Sequence, residues 1–103
     1  MEKAGFNQKV WGIVKKIPKG RVSTYGDIAR KLGNPKLSRQ VGWALHANTS
    51  STIPCHRVVN REGRLAPNFA FDGWREQRRR LLAEGVGFKN EMHVDLSKSL
   101  WQE

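Results

Sequence analysis

Apolar residues at Phe6, Val10, Trp11, Val14 and Ile17 fall three and four positions apart, which sets them on one face of an α-helix. Pro18 and Gly20 stop that helix, since proline cannot donate to the ladder and glycine favours an exit. Arg21-Val22-Ser23 reads as a short extended entry into Thr24-Tyr25-Gly26-Asp27. There Thr24 can cap a second helix and Asp27 stands at the capping-box position. The second helix runs through Ile28, Ala29 and Leu32, and Gly33 supplies a left-handed exit. Asn34-Pro35 makes a turn, after which Leu37, Val41, Ala44 and Leu45 trace the apolar face of a third helix. Two short helices around a Gly-containing turn suggest helix-turn-helix, a pairing that any small helical bundle also offers.

The second half is less periodic. His46 to Ser51 is a polar loop, and Thr52 to Val59 is too short and too Pro-interrupted for a helix, so it is read as a buried turn and strand. Asn60 to Gly63 makes a turn. Asp72-Gly73-Trp74 opens a basic helix through Arg78, Arg79, Arg80, Leu81 and Leu82, which Gly85 ends. The tail is read as a short strand around His93-Val94-Asp95-Leu96 followed by Trp101 packed on the core. The expected fold is mainly α: a small winged-helix-like or helix-turn-helix domain over residues 1–103, with a short β element around Cys55.

Charge narrows the partners. Nineteen Lys and Arg against nine Asp and Glu give a net charge of +10, which favours polyanions, nucleic acid first. Solubility alone is the plainer reading of such charge. A membrane surface would call for one basic amphipathic helix, whereas here the charges spread from Lys3 to Lys98, so no membrane partner is expected. No stretch near the start has the apolar length of a signal peptide or a membrane span, and the single cysteine has no disulfide partner. The expected location is therefore a reducing cytoplasm, with Cys55 a free thiol. One Cys and three His (His46, His56, His93) lack ligand-pair spacing, so neither metal nor other cofactor is expected. No dimerisation signal is visible, and a monomer is expected.

The stretch Ile53-Pro54-Cys55-His56-Arg57-Val58-Val59-Asn60 holds that cysteine. It is preceded by "GRVSTYGDIARKLGNPKLSRQVGWALHAN" and followed by "RRLLAEGVGF". In this arrangement the chain resembles the DNA-binding, active-site domain of the O6-alkylguanine-DNA alkyltransferases, over roughly Phe6 to Lys89. With no second domain before it, and with the tail "HVDLSKSLW", it also resembles their short stand-alone alkyltransferase-like relatives.

The resemblance implies a chemistry. Removing an alkyl group from guanine O6 by direct displacement needs a thiolate, and a free cysteine with a pKa of about 8.5 is mostly protonated at neutral pH. By resemblance, His56 takes the proton through a water and Glu84 orients His56, so that part of the thiol should ionise below that value. Asn48 would tie the loop between the recognition helix and the active-site strand. Tyr25 would donate to N3 of the departing base. The target atom is stacked inside the duplex, so the nucleotide must be flipped. Arg39 falls where the family inserts an arginine into the base stack. Gly42 and Ala44 are small enough for a helix to approach the minor groove, and Trp43 lies on the same helix. Lys36 serves phosphates, and Arg57, which also braces the fold, completes the DNA-facing set.

Each residue also has a plainer role: Cys55 as a small buried hydrophobe, Glu84 as a helix-end carboxylate, Tyr25 as core edge, Asn48 as a turn residue, Arg39 as a phosphate contact, the tryptophans as packing. Two departures from the family pattern matter. The chain reads "RLAPNFAFDGW" where repair-active members have a Gly-rich loop with a tyrosine, leaving that pocket wall open. Stand-alone members place Trp or Ala at the cysteine position and bind lesions without repairing them. Three functions therefore compete: an irreversible alkyl acceptor acting on double-stranded DNA with O6-alkylguanine; a non-catalytic lesion sensor that recruits nucleotide excision repair proteins; and a helix-turn-helix transcription regulator.

Overall fold

The computed structural model describes residues 5–67, 69 and 73–102. Its first helix, α1, spans Phe6–Val14 and buries Val10 and Val14. Ile17, read as the last residue of that stripe, lies beyond the helix end but is also buried. Strand β1 (Ser23–Thr24) leads into α2 (Tyr25–Lys31), where Thr24 Oγ1 accepts the Asp27 amide at 3.1 Å. The Asp27 carboxylate pairs with Arg30. Gly33 leaves α2 at φ 97°, and Asn34 caps a 3₁₀ turn at Pro35–Leu37 that runs into α3 (Ser38–His46). The α2–turn–α3 unit packs on α1, with the Trp11 indole N–H donating to the Ala44 carbonyl at 2.8 Å.

Beyond α3, a 3₁₀ turn at Cys55–Arg57 opens into strand β2 (Val58–Val59). The expected turn and strand are both present, with Cys55 on the turn. Strand β2 lies parallel to β1, pairing Ser23 with Val58 and Thr24 with Val59. On the far side of β1, Val22 bridges Leu100 of the tail: the Val22 N–H donates to Ser99 O at 2.9 Å and Trp101 N–H to Val22 O at 2.7 Å. Trp101 packs against the helical core as expected. The tail differs from the strand read over His93–Leu96. His93 and Val94 do form antiparallel bridges, with Arg64 and Phe88, but Asp95 then caps a short helix, α5 (Leu96–Ser99), by accepting the Ser97 amide. A carboxylate two residues before a serine, whose amide and hydroxyl both donate to it, favours that cap over further extension.

Successive strand residues point to opposite faces. Val58 therefore joins a core made with Val10, Val14, Ile28, Val41 and Ala44, while Val59 joins a second with Val22, Leu65, Leu81, Val86 and Val94. Helix α4 (Trp74–Ala83) supplies Leu81 to the second core; the Asp72 expected to open it lies outside the described residues. Its end is a Schellman motif in which Val86 N–H reaches Leu81 O and Gly85 N–H reaches Leu82 O, both at 3.0 Å. Gly85 there has φ 85°. The Cys55 turn thus sits at the seam between two cores, held from both.

Gly63 marks a tight backbone approach. At φ +83° a side-chain carbon there would stand 2.5 Å from the Val94 carbonyl oxygen. Gly63→Ala should lower stability by roughly 2 kcal/mol in denaturant unfolding, since both strain and a clash arise. Gly12, in α1 with open space around it, should respond oppositely: Gly12→Ala should stabilise by about 1 kcal/mol. The same sign at both positions would contradict this structure.

Candidate active site

Pro54 shapes the turn that presents the thiol. Its φ of −78° and ψ of 65°, with the Cys55 N–H donating to Ile53 O at 2.8 Å, form an inverse γ-turn. Proline's fixed φ suits that geometry. Arg57 N–H then closes the 3₁₀ turn on Pro54 O at 2.9 Å. The preceding loop is stapled by its own polar side chains. Asn48 Nδ2 donates to Ser50 O at 2.9 Å and lies 3.5 Å from Cys55 Sγ, while its Oδ1 accepts the Ser50 amide. Asn48 therefore ties the loop to the sulfur itself.

Behind the thiol, the Glu84 carboxylate accepts from Arg57 Nε at 2.9 Å, Arg57 Nη2 at 2.8 Å and His56 Nε2 at 2.8 Å. Arg57 Nη1 donates to Ile17 O at 2.8 Å. All three side chains are nearly buried, between 11 and 16 % exposed. A carboxylate at a helix C-terminus opposes the helix dipole, and here Arg57 offsets that. Burial would raise the Glu84 pKa, but the Arg57 and His56 hydrogen bonds outweigh it and hold the carboxyl at about 2. Burial also lowers the His56 pKa below its ordinary value, against the pull of Glu84 and aided by the charges of Arg57 and Arg80. His56 is therefore neutral at pH 7, donates from Nε2 to the ionised Glu84, and keeps a lone pair on Nδ1.

The Cys55 thiol does not follow the expectation of a lowered pKa. Burial pushes it above the ordinary thiol value, outweighing the Asn48 amide and the Arg80 charge. At rest the sulfur is a protonated thiol. Burial, with Cys55 as the lesser cause, also raises the Tyr25 phenol, which keeps it a proton donor.

Cys55, His56, Tyr25, Asn48 and Gly42 line one open cleft of about 1080 Å³. Gly42 is where a side chain would begin to meet the Tyr25 ring, at 4.0 Å. The wall left open by the sequence is supplied by Ala66, Pro67 and Phe69. Arg39 and Lys36 are exposed on α3 and the turn before it, and Trp43 is 63 % exposed on α3. Two members of the DNA-facing set are placed elsewhere. Ala44 is buried in the core on the α1 side of α3, so its small size serves helix packing. Arg57 has its guanidinium engaged by Glu84 and Ile17 O, so it braces the site and does not reach outward.

Two residues escaped the sequence reading. Gln77 is fully buried, accepting the Ala66 amide at 2.7 Å and donating to His56 O at 3.1 Å and Val58 O at 3.0 Å. It joins α4 to both the turn and the cleft wall, and a neutral amide among arginines was its one signal. Arg80, read only as part of a basic helix, stands at the cleft, stacked over the Phe69 ring at 5.2 Å.

A family model for the DNA-binding domain of 6-O-methylguanine DNA methyltransferase matches residues 5–86. The chain is 45 % identical over 103 residues to a DNA base-flipping protein of Escherichia coli, covering 98 % of this chain and 78 % of that one. It is 38 % identical to alkyltransferase-like protein 1 of Schizosaccharomyces pombe, covering 94 % of each. Among solved structures, S. pombe Atl1 in complex with damaged DNA containing O6-carboxymethylguanine superposes with a TM-score of 0.85, at 36 % identity over the whole of both chains. Mycobacterium tuberculosis OGT in complex with DNA gives 0.72 at 34 % identity, covering 82 % of this chain and 51 % of that one.

The buried ion network gives stability a pH dependence. With the Glu84 pKa depressed to about 2, its contribution is complete above the ordinary carboxylate range and is lost as pH falls through about 2. His56, also depressed, resists protonation in the fold, so its share is complete above its ordinary value and falls away on acidification. Both act in one direction. Glu84→Ala should cost about 3 kcal/mol at pH 7, as expected for removing one partner of a buried pair. In denaturant titrations that gap should shrink toward low pH; a gap independent of pH would contradict the network.

Proposed function

The chain belongs to the 6-O-methylguanine DNA methyltransferase family, and on that footing we propose that it binds duplex DNA containing O6-alkylguanine, flips the damaged nucleotide into the Cys55 cleft and takes the alkyl group onto its own sulfur. The observation that carries this reading is the thiol in the cleft, held by Asn48, beside a neutral His56 whose Nε2 is committed to Glu84.

In the proposed step Cys55 Sγ attacks the alkyl carbon, the S–C bond forms, and the C–O6 bond breaks with its electrons passing to the guanine. The thiol proton leaves toward His56 Nδ1, and Tyr25 donates a proton to N3 of the base, so charge does not build on the leaving group. The thioether is no leaving group, so each molecule reacts once. The raised resting pKa of Cys55 fits a thiol that ionises as the base arrives, which spares it from adventitious alkylation.

Arg39 would fill the vacated stack from the minor groove, Gly42 would allow α3 close approach, and Trp43 would lie against the groove wall. Lys36 and the remaining surface cations would engage phosphates. A second reading also has an observation in its favour. The chain matches an alkyltransferase-like protein over nearly its full length, and a protonated Cys55 could leave a lesion sensor that passes the site to nucleotide excision repair.

Intact mass after incubation with an O6-methylguanine duplex separates the two. Transfer should add one methyl group to Cys55 and no more, and Cys55→Ser should add none while still preferring lesion duplex to undamaged duplex. Tyr25→Phe should slow transfer by roughly 100-fold, the usual worth of a positioned proton donor. Unchanged mass with lesion binding retained would overturn transfer and leave the sensor.

A further inference from the structure

The four tryptophans of the chain are not used alike. Trp11 donates its indole N–H to Ala44 O at 2.8 Å and packs on the first core. Trp101 packs on that core with the Lys31 ammonium 4.9 Å from its ring, and Trp74 packs on the second core with the Arg75 guanidinium at 4.6 Å. Trp43 belongs to neither core and is 63 % exposed. Among the described residues its side chain has neither a hydrogen bond nor a cation over its ring. Packing of the fold therefore gives this indole no task.

Its place on α3 says what it faces. Val41 and Ala44 turn into the core, while Gly42 turns toward the Tyr25 ring. Gly42 and His46, one residue before and three residues after Trp43, line the Cys55 cleft, and Trp43 itself does not. The indole thus stands on the rim, beside the path by which a nucleotide would enter. Arg39 is exposed one turn earlier, and helical side chains lean toward the N-terminus, so the indole lies over the turn that carries Arg39. Lys36 is exposed just before that turn. A flat aromatic among cations suits nucleic acid, which offers phosphates to the charges and base faces to the ring. A second copy of the chain, at a net charge of +10, would instead bring like charge to this rim.

Resting on the proposed lesion binding, we infer that Trp43 is a recognition residue for the flipped state: its indole packs on the nucleotide beside the one that has left the stack. Flipping strips that neighbour of a stacking partner and is easiest at a damaged base. Arg39 is placed to fill the gap, and the indole, one turn along α3, covers the uncovered face next to it. In an intact duplex that face is already stacked, so Trp43 meets only the groove surface. The contact therefore adds to lesion preference more than to general DNA affinity.

The test measures binding of Trp43 variants to O6-methylguanine duplex and to undamaged duplex. Trp43→Ala should weaken the lesion complex about tenfold, within the worth of one aromatic–base stack, and the undamaged complex by less than about twofold. Trp43→Phe keeps an aromatic face and should retain most of the preference, whereas Trp43→Lys, with charge in place of the ring, should lose it. The salt slope of Trp43→Ala should match the wild type, because no phosphate contact is removed. With 2-aminopurine placed on either side of the lesion, wild-type binding should change the fluorescence at one of the two positions, and Trp43→Ala should not. Equal weakening of both duplexes by Trp43→Ala would overturn the proposal, as the mark of a groove-wall contact. So would affinities that Trp43→Ala leaves unchanged, which would assign the indole to a protein partner. Failure of the wild-type protein to prefer the lesion duplex would instead overturn lesion binding, and the inference with it.

Discussion

One buried anion organises the active end of this molecule. The Glu84 carboxylate, at the C-terminus of α4, takes hydrogen bonds from Arg57 and His56, and Arg57 reaches on to the carbonyl of Ile17 beyond α1. Three segments distant in sequence meet at that point. A carboxylate removed from water at the negative end of a helix would be costly alone. The guanidinium of Arg57 makes it tolerable, and in return the carboxylate fixes which imidazole nitrogen carries the proton. Removing the arginine would therefore disturb more than a surface charge: it would free Glu84, and through it the orientation of His56.

The network acts on a turn that both cores hold in place. Val58 faces one core and Val59 the other, so the residues just after Cys55 have no slack in either direction. Gln77 adds a neutral clamp from α4 onto the carbonyls of His56 and Val58. Fully satisfied buried amides of this kind position a backbone without introducing charge. Within that frame the Cys55 thiol is kept protonated by burial and the His56 imidazole is kept neutral by burial. The resting sulfur is a thiol held between the Asn48 amide at 3.5 Å and the Leu45 carbonyl at 3.9 Å, with no thiolate exposed to solvent.

The sequence made the four longer helices legible because their apolar periodicity and their stops, Pro18, Gly33 and Gly85, are local signals. Cys55, His56 and Glu84 are legible through the family resemblance, and the structure brings His56 and Glu84 together over 28 residues of separation. What the sequence hid depends on burial. The direction of the Cys55 shift followed from desolvation, which no neighbouring residue announces. Ala44 fits a DNA face because alanine suits a groove, yet it turns toward α1; Arg57 stands in the DNA-facing set and as a brace of the fold, and its guanidinium, bound to Glu84 and Ile17 O, serves only the second. Gln77 and Arg80 carry no motif, and their roles come from what the fold places within reach. The tail was half legible: His93 and Val94 pair as strand residues, and Asp95 then diverts the chain into a helical turn.

The central claim is that burial holds His56 neutral while the Glu84 anion fixes its proton on Nε2 and so leaves the lone pair on Nδ1. Nitrogen-15 NMR of the imidazole in the resting protein tests this most directly. The signals should report a neutral Nε2–H tautomer at pH 7 with protonation only below the ordinary histidine value, and Glu84→Gln should disperse that tautomer preference. An imidazolium at pH 7, or a proton resident on Nδ1, would contradict it.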